Sequence, residues 1–403
     1  MDLKGKKVLL RVDLNVPISG AGEQKKIDDD TRIREALPTI RYLLDQGARP
    51  IVCSHLGRPD GKRSPKYSLE PVARHMAELL GREVLLSDEA TGDGVHQMVH
   101  HSRGNEIILL ENIRFWAEEE ANDPAFSREL ARLADAYVND AFGTAHRKHA
   151  STYGVAQAMT DCGAGMLVKK ELKFLQKLIE NPQHPYVLIA GGAKVTDKLK
   201  AIDNLLNFVD QAIIGGAMAY AFLAAQGKAI GKSKCEAEGV AAAEKILSKA
   251  KARGVKILLP VDHVVAWPGK DPELQSPEVV AEIPLDAAAL DIGPETRELF
   301  ARAIAGAKTI FWNGPMGFFE KPPYGEGTRH VAESIALNKG LKVAGGGDTL
   351  SAVSLFGFAE GFDLLSTGGG ASLKFLEGKG LPGIEILRGK GGVSMNIPIK
   401  DVH

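Results

Sequence analysis

The stretch VKKELKFLQKLIENPQHPYVLIAGGAKVTDKLK, Val168 to Lys200, decides how the rest of the chain is read. Leu172, Leu175, Leu178 and Ile179 recur at helical spacing among lysines and glutamates, which predicts an amphipathic helix over Val168 to Glu180. Asn181-Pro182 stops it, because proline cannot continue a helix and disfavours helical backbone in the residue before it. Tyr186 to Ala190 is a short apolar strand, Gly191-Gly192 a turn, and Val195 onward a new helical pattern. The stretch therefore holds a joint near the middle of the chain and a strand–glycine–lysine–helix unit suited to phosphate.

Working outward, short apolar runs alternate with amphipathic helical patterns on both sides of the joint. Before it, strands are expected at Lys7–Val12, Ile51–Cys53, Ile107–Leu110 and Tyr137–Val138. After it they are expected at Tyr186–Ala190, Ala212–Ile214, Lys256–Leu259, Thr309–Trp312, Leu341–Ala344 and Leu364–Leu365. A helix is marked by Ile33, Leu37, Ile40 and Leu44, and another by Ser68 as a cap, Pro71 in the first turn and Gly81 at the end. This βαβ alternation predicts an α/β protein with two open, mostly parallel sheets covered by helices. A length of 403 residues also favours two domains over one core.

A net charge of -1 argues against bulk binding of nucleic acid or of an anionic membrane. Cys53, Cys162 and Cys235 are far apart and form no CxxC, which disfavours a thiolate zinc site and a disulfide framework and suits a reducing cytoplasm. Arg11 and Asp13 fall where a signal peptide would need its apolar core. The uncharged run Gln211 to Gly227 is too short for a bilayer and reads as strand, turn and buried helix. No long exposed apolar stripe is evident, so a monomer is expected.

Ligands of open parallel sheets bind beyond the carboxyl ends of the strands. In the first half those positions carry RVDLN (11–15), SHLGRP (54–59), ENIRF (111–115) and NDAFGTAHRKH (139–149). Arg11, Arg58, Arg114 and Arg147, with His55 and His146, are expected to converge on one edge, joined by Arg32 at the start of the following helix. Guanidinium groups match carboxylate and phosphate oxygens bidentately, so the cluster implies a small, highly charged anion. His75, His96, His100 and His101 read as structural.

In the second half the strands end in AGGAK (190–194), GGAM (215–218), NGPMG (313–317), GGGDT (345–349) and STGGG (366–370). Glycines let backbone N–H groups approach phosphate oxygens, and a following helix N-terminus favours negative charge. Lys194 and Lys198 are four apart and are expected on one face at the start of a helix, where an anion would offset the macrodipole. Asp348 suits magnesium, which prefers a carboxylate plus phosphate oxygens and water, and a helix N-cap is a compatible reading of the same residue. GKAIGKSK (227–234) mimics a P-loop but has the wrong glycine spacing and no preceding strand, GGGDT is not the GxGxxG of a dinucleotide fold, and no HRD or DFG triplet is present.

Taken in order, RVDLNVP (11–17), SHLGRP (54–59), ENIRF (111–115), NDAFGTAHR (139–147), GGAKVTDK (191–198), NGPMGFFE (313–320), GGGDT (345–349) and STGGGASL (366–373) resemble the motifs of the phosphoglycerate kinase family. The resemblance covers nearly the whole chain. It implies two Rossmann-like domains joined by a central helix and hinge: 1–165 with a returning C-terminal segment from about 386 to 403, the joint at 166–182, and 183–385. It implies a carboxyl-directed phosphotransferase of glycolysis that moves a phosphoryl group between 1,3-bisphosphoglycerate and Mg·ADP, giving 3-phosphoglycerate and ATP, by in-line transfer after hinge closure.

The resemblance places Asp13, Asn15, Arg32, His55, Arg58, Arg114 and Arg147 on the 3-phosphoglycerate side. It places Gly192, Lys198, Gly215, Leu290, Asn313, Glu320, Gly347, Asp348 and Thr349 on the nucleotide side, with Asp348 the magnesium ligand. Arg32 and Lys194 match the pair facing the transferring group, aided by the N–H groups of Gly369 and Gly370. Ala217 and Ala288-Ala289 depart from the family pattern near the base, GAGEQKK (20–26) enlarges the first loop slightly, and the tail 389–403 departs from the usual ending. A decayed anion- and nucleotide-binding scaffold is the alternative; the joint presence of Arg32, Lys194, Lys198 and Asp348 speaks against it. A kinase for another carboxylate acceptor would keep the glycine half without needing the whole triose set.

Overall fold

The strands form where runs of apolar residues can be covered on both faces. In the computed structural model, which describes residues 3–20, 22–102, 104, 106–269 and 276–388, they are β1 (Lys7–Arg11), β2 (Ile18–Ser19), β3 (Lys26–Ile27), β4 (Arg49–Cys53), β5 (Val84–Leu86), β6 (Ile107–Leu109), β7 (Ala136–Asn139), β8 (Cys162–Ala164), β9 (Tyr186–Ala190), β10 (Gln211–Ile214), β11 (Lys256–Leu258), β12 (His263–Ala266), β13 (Glu278–Val280), β14 (Ala288–Ile292), β15 (Thr309–Asn313), β16 (Leu341–Gly345) and β17 (Leu364–Ser366). One parallel sheet runs β5-β6-β4-β1-β7-β8, and a second runs β11-β10-β9-β15-β16-β17. Counted along its own part of the chain, the second sheet has the 3-2-1-4-5-6 order of a doubly wound fold.

The chain divides into two compact units. One reaches from the N-terminus to Leu172 and takes the chain up again at Gly380; the other is Lys173–Lys379. In the first, Val8, Leu10 and Val52 pack with Ile33, Leu37 and Ile40 of the helix Thr31–Asp45. In the second, Val187, Ile189 and Trp312 pack with Phe300 and Ile304 of the helix Pro294–Ala305. Truncating one such buried leucine or isoleucine to alanine costs about 2–5 kcal/mol. The returning segment is tied to the first unit by backbone: Gly383 N donates to Ala145 O at 2.9 Å, and Asn139 Nδ2 donates to Gly383 O at 3.0 Å. The unusual tail lies outside the described residues.

The helix that opens the sequence reading spans Met166–Ile179. At Gly81 the backbone turns left-handed (φ 60) and closes the helix Glu70–Leu80, as its sequence predicts. Three features differ from expectation. The helical pattern after Gly191-Gly192 begins at Leu199, so Lys194 and Lys198 do not share a helix face; residues 196–198 form a turn first, and Lys198 occupies the cap position. Strands β5 and β8 escape the apolar-run criterion because each is a three-residue edge strand, and β8 contains Gly163. A separate antiparallel sheet, β13-β12-β14, interrupts the parallel pattern, with Val279 half exposed at its edge.

Candidate active site

Register decides what reaches the carboxyl edge of the first sheet. Arg11 pairs with Cys53 on one side and Asn139 on the other, so the residues just beyond them, Val12-Asp13, Ser54-His55 and Asp140, emerge in one row. Arg11 is 1% exposed. Its Nε donates to Ser151 Oγ at 2.8 Å, its Nη1 to Val12 O, and its Nη2 to His55 Nδ1 at 3.2 Å. Asp13 Oδ1 accepts from Asn15 N at 3.1 Å and from Arg32 Nη1 at 3.2 Å, and Arg32 Nη1 also reaches Asn15 O at 3.1 Å. Asn15 Oδ1 accepts from Gly57 N at 2.8 Å, and Arg114 Nη1 donates to Gly57 O at 2.8 Å. The loop after β4 is thus held from both sides.

Electrostatics follow from this crowding. Burial pushes the Asp13 carboxyl up, but its neighbours His55, Arg32 and Arg11, the last two as guanidinium cations, and the Asn15 N–H outweigh it and hold the group below the ordinary range. Burial pushes the His55 imidazole well below its usual value; Asp13 opposes this, while Arg11, Arg114 and Arg32 reinforce it. Burial also lowers the Arg114 guanidinium, countered by Glu120, whose Oε1 lies 3.2 Å from Arg114 Nε. Arg147 Nε is 3.2 Å from His146 Nε2, and Arg58 is exposed at the rim. The expected convergence of Arg11, His55, Arg114 and Arg32 is present, with Arg147 close enough to bear on Arg114.

At the second sheet the central feature is the point between β9 and β15 where the strand order reverses. Lys198 Nζ donates to Gly191 O at 2.8 Å and to Asn313 O at 2.9 Å, bridging the two strand ends. Burial pushes this amine down to about 8, against the pull of Asp348 and Asp197. Two of its three N–H donors are engaged, which leaves one for a ligand. Glycines keep the backbone close here: a Cβ on Gly191 would lie 2.2 Å from Pro315 O, and one on Gly216, whose φ is +62, would lie 2.6 Å from Gly192 N. Asn313 Nδ2 donates to Gly345 O at 2.7 Å, and Thr349 Oγ1 accepts from Gly314 N at 2.7 Å, locking the loops after β15 and β16 together.

Gly347 opens the helix Gly347–Leu355, with Gly346 as its cap, so Asp348 lies exposed in the first turn and is not the cap residue. Gly192 (φ +89) and Gly215 follow β9 and β10, and Gly215 N donates to Ala190 O at 2.9 Å. Leu290 stands on β14 against Val264, Ala266 and Tyr324, and Glu320 is exposed in a turn. Ala217 and Ala289 pack into one apolar cluster with Tyr220 and Val265, so these departures from the family pattern fall together. Gly369 (φ +50) caps the short helix Gly370–Leu376. Lys194 is half exposed, with Nζ 3.7 Å from Glu236 Oε1.

No group of three or more His, Cys, Asp or Glu side chains suited to a metal occurs among the described residues. A lone carboxylate fits magnesium that arrives on a nucleotide, and Asp348 acts electrostatically on Lys198 at the switch point. A cleft of about 960 Å³ in the first unit, lined by Lys25, Arg63, Lys66, Glu70, Asp88 and Glu111 among others, contains none of the predicted triose residues. Sequence reasoning missed Glu119 and Ser151, both buried behind Arg11. Within AEEE, Glu119 carries no signal that separates it from a solvated helix face.

The model of the phosphoglycerate kinase family matches residues 1–379. Proteins called phosphoglycerate kinase from Acidobacterium capsulatum and Dictyoglomus turgidum are each 50% identical to this chain, the first over 97% of it and 98% of its own length, the second over 96% and 97%. A solved phosphoglycerate kinase structure from Coxiella burnetii matches with a TM-score of 0.85 at 41% identity, over 96% of this chain and 97% of its own. One from Pyrococcus horikoshii matches with a TM-score of 0.81 at 31% identity, over the same shares. Likeness that runs through both units cannot come from one shared domain alone, and the chain belongs to the phosphoglycerate kinase family.

Proposed function

We infer that this chain is a phosphoglycerate kinase, transferring a phosphoryl group reversibly between 1,3-bisphosphoglycerate and Mg·ADP to give 3-phosphoglycerate and ATP. The observation that carries the reading is a chain-length likeness to proteins of that name in which cationic side chains line one sheet edge and glycine turns around Lys198 line the other. The attacking oxygen of ADP is already an anion, so the reaction needs no general base. It needs charge neutralisation over the phosphoryl oxygens and in-line alignment.

In this reading Asp13, Asn15, Arg32, His55, Arg58, Arg114 and Arg147 bind the triose. Asp13 and Asn15 serve by holding Arg32 and the Gly57 loop in place. Lys198 and the N–H groups around Gly192, Gly215 and Gly347 hold the nucleotide phosphates, Asn313 and Thr349 fix their loops, and Leu290 and Glu320 flank base and ribose. Asp348 would hold magnesium, whose contribution is to neutralise phosphate charge. Arg32 and Lys194 act on the transferring group with the N–H groups of Gly369 and Gly370. The two ligand sets belong to different units, so transfer requires hinge closure about the joint at 166–182 to exclude water. A cytoplasmic monomer is the setting the reading implies.

The test is ADP formation from Mg·ATP with and without 3-phosphoglycerate, beside Arg32→Ala. Turnover that depends on 3-phosphoglycerate and collapses in the variant supports the reading. Binding of both ligands without turnover in the unaltered protein points to a scaffold. Small-angle scattering that shows no compaction with both ligands bound removes hinge closure.

A further inference from the structure

Behind the basic cluster lies a directed chain of hydrogen bonds that the reaction as described does not use. Glu119, 1% exposed, sits on the single turn Ala117–Glu120 and accepts from Ser151 twice: Ser151 Oγ donates to Oε1 at 2.7 Å and Ser151 N to Oε2 at 2.8 Å. With its hydroxyl proton committed to Glu119, Ser151 Oγ turns a lone pair to Arg11 Nε at 2.8 Å. Tyr137 Oη donates to Ser151 O at 2.7 Å and holds that backbone in place. Arg11 is thereby oriented so that Nη2 faces His55 Nδ1 at 3.2 Å.

Arginine has no acceptor and stays protonated, so His55 Nδ1 must offer a lone pair to it. That leaves one arrangement for the imidazole: neutral, with its proton on Nε2. The charged groups bearing on the ring are Asp13, which favours an imidazolium, and Arg11, Arg114 and Arg32, which oppose it together with burial. The Nε2–H has no hydrogen-bond partner among the described residues, although the ring is only 4% exposed. Nε2 is not among the buried polar atoms left without a partner, so this donor opens to solvent, where a ligand oxygen can accept from it.

We propose that His55 meets the triose anion as a neutral Nε2–H donor, in a tautomer set by Arg11, and that Ser151 and Glu119 are positioning residues for this donor. The proposal rests on the reading of this sheet edge as the triose side. It divides the labour at the site: the arginines supply charge, and His55 supplies direction without adding a further cation to a crowded cluster. Glu119 acts through Ser151 and does not touch the ligand.

The experiment is ¹⁵N NMR of the full-length protein with labelled histidine, with the His55 signals identified by their loss in His55→Gln. The expected result is an unprotonated Nδ1 and a protonated Nε2 throughout about pH 5.5 to 8, with and without 3-phosphoglycerate, where an ordinary histidine would titrate. An imidazolium at neutral pH, or a proton on Nδ1, overturns the proposal while leaving the triose site intact. Glu119→Gln, nearly isosteric, and Ser151→Ala should blur the tautomer and raise KM for 3-phosphoglycerate roughly three- to tenfold, the size of one hydrogen bond, with kcat little changed. Ser151→Thr should restore both. An unchanged tautomer in both folded variants would remove Ser151 and Glu119 from the proposal and overturn it. An unchanged KM in His55→Gln would overturn both this inference and the assignment of His55 to the triose side.

Discussion

At the edge of the first sheet the groups available to an anion are side chains; at the edge of the second they are mostly backbone. The difference shapes everything around them. Buried guanidinium groups repel one another and are costly to desolvate, so the first edge carries its own counter-charges: Asp13 beside Arg32, Glu120 beside Arg114, and Glu119 behind Arg11 through Ser151. Backbone N–H groups bring only partial charge. They need space more than compensation, and glycine supplies it at Gly191 and Gly216, where any Cβ would strike backbone atoms. One edge should therefore break when a charge is removed, and the other when a methyl group is added.

The largest effect is expected from Arg32→Ala. Loss of a cation facing the transferring group should lower turnover roughly 10³- to 10⁵-fold, by analogy with other phosphoryl-transfer arginines. Its ion-pair partner Asp13 is 10% exposed against 35% for the arginine side chain and keeps Arg11 and the Asn15 N–H, so the melting temperature should fall modestly. A loss below tenfold in steady-state kinetics would show that Arg32 is merely structural.

Next is Arg11→Ala, which strands the buried Glu119–Ser151 pair and should cost about 3–5 kcal/mol in urea unfolding. The corresponding break at the second edge is Gly216→Ala. Its Cβ would meet Gly192 N and Pro315 O at 2.6 Å with φ at +62, for a cost of about 2 kcal/mol. If Gly216→Ala were neutral and Arg11→Ala mild, the contrast between the edges would be wrong.

A smaller effect separates the edges by pH. The Lys198 amine, pushed down to about 8, loses its proton as pH rises through that value, so affinity for Mg·ADP should fall, by at most about tenfold per unit. The unfolded chain keeps this lysine protonated up to its usual 10.5, so it binds more protons than the folded chain between about 8 and that value. The Lys198 contribution to folding stability therefore rises with pH while nucleotide binding weakens. Calorimetric titrations in which Mg·ADP affinity is flat from about pH 7 to 9 would exclude a charged Lys198 as phosphate ligand. The smallest effect is at Gly347, where a Cβ meets nothing within 4 Å and φ is not positive. Gly347→Ala should leave unfolding within about 0.5 kcal/mol of the parent while weakening Mg·ADP a few-fold, if the ligand comes close to this backbone.

Most of the architecture is legible in the sequence because the inner strands of both sheets are buried on both faces and must be nearly all apolar, as in Tyr186–Ala190 and Thr309–Asn313. Residues that follow such strands necessarily emerge at one edge, so the spacing of the arginine and glycine motifs along the chain is enough to place them. What escapes are elements whose burial is partial or whose partners are distant. Strands β5 and β8 are short edges, β13 leaves Val279 half exposed, and the turn at 196–198 delays the helix past Lys194 because local periodicity does not register where a chain must first bend.

By itself, then, the sequence determined the two-sheet α/β plan, the side-chain character of one edge and the backbone character of the other, and the family; these depend on residue types and on spacing along the chain. Only the tertiary structure decided which groups neutralise which. Glu119 could be told from Glu118 and Glu120 only once Ser151, far along the chain, was seen to close on it, and Lys198 could be seen to bridge Gly191 and Asn313 only once β9 and β15 stood side by side. Charge compensation in a buried site acts over a few ångströms of space, and sequence distance carries no record of it.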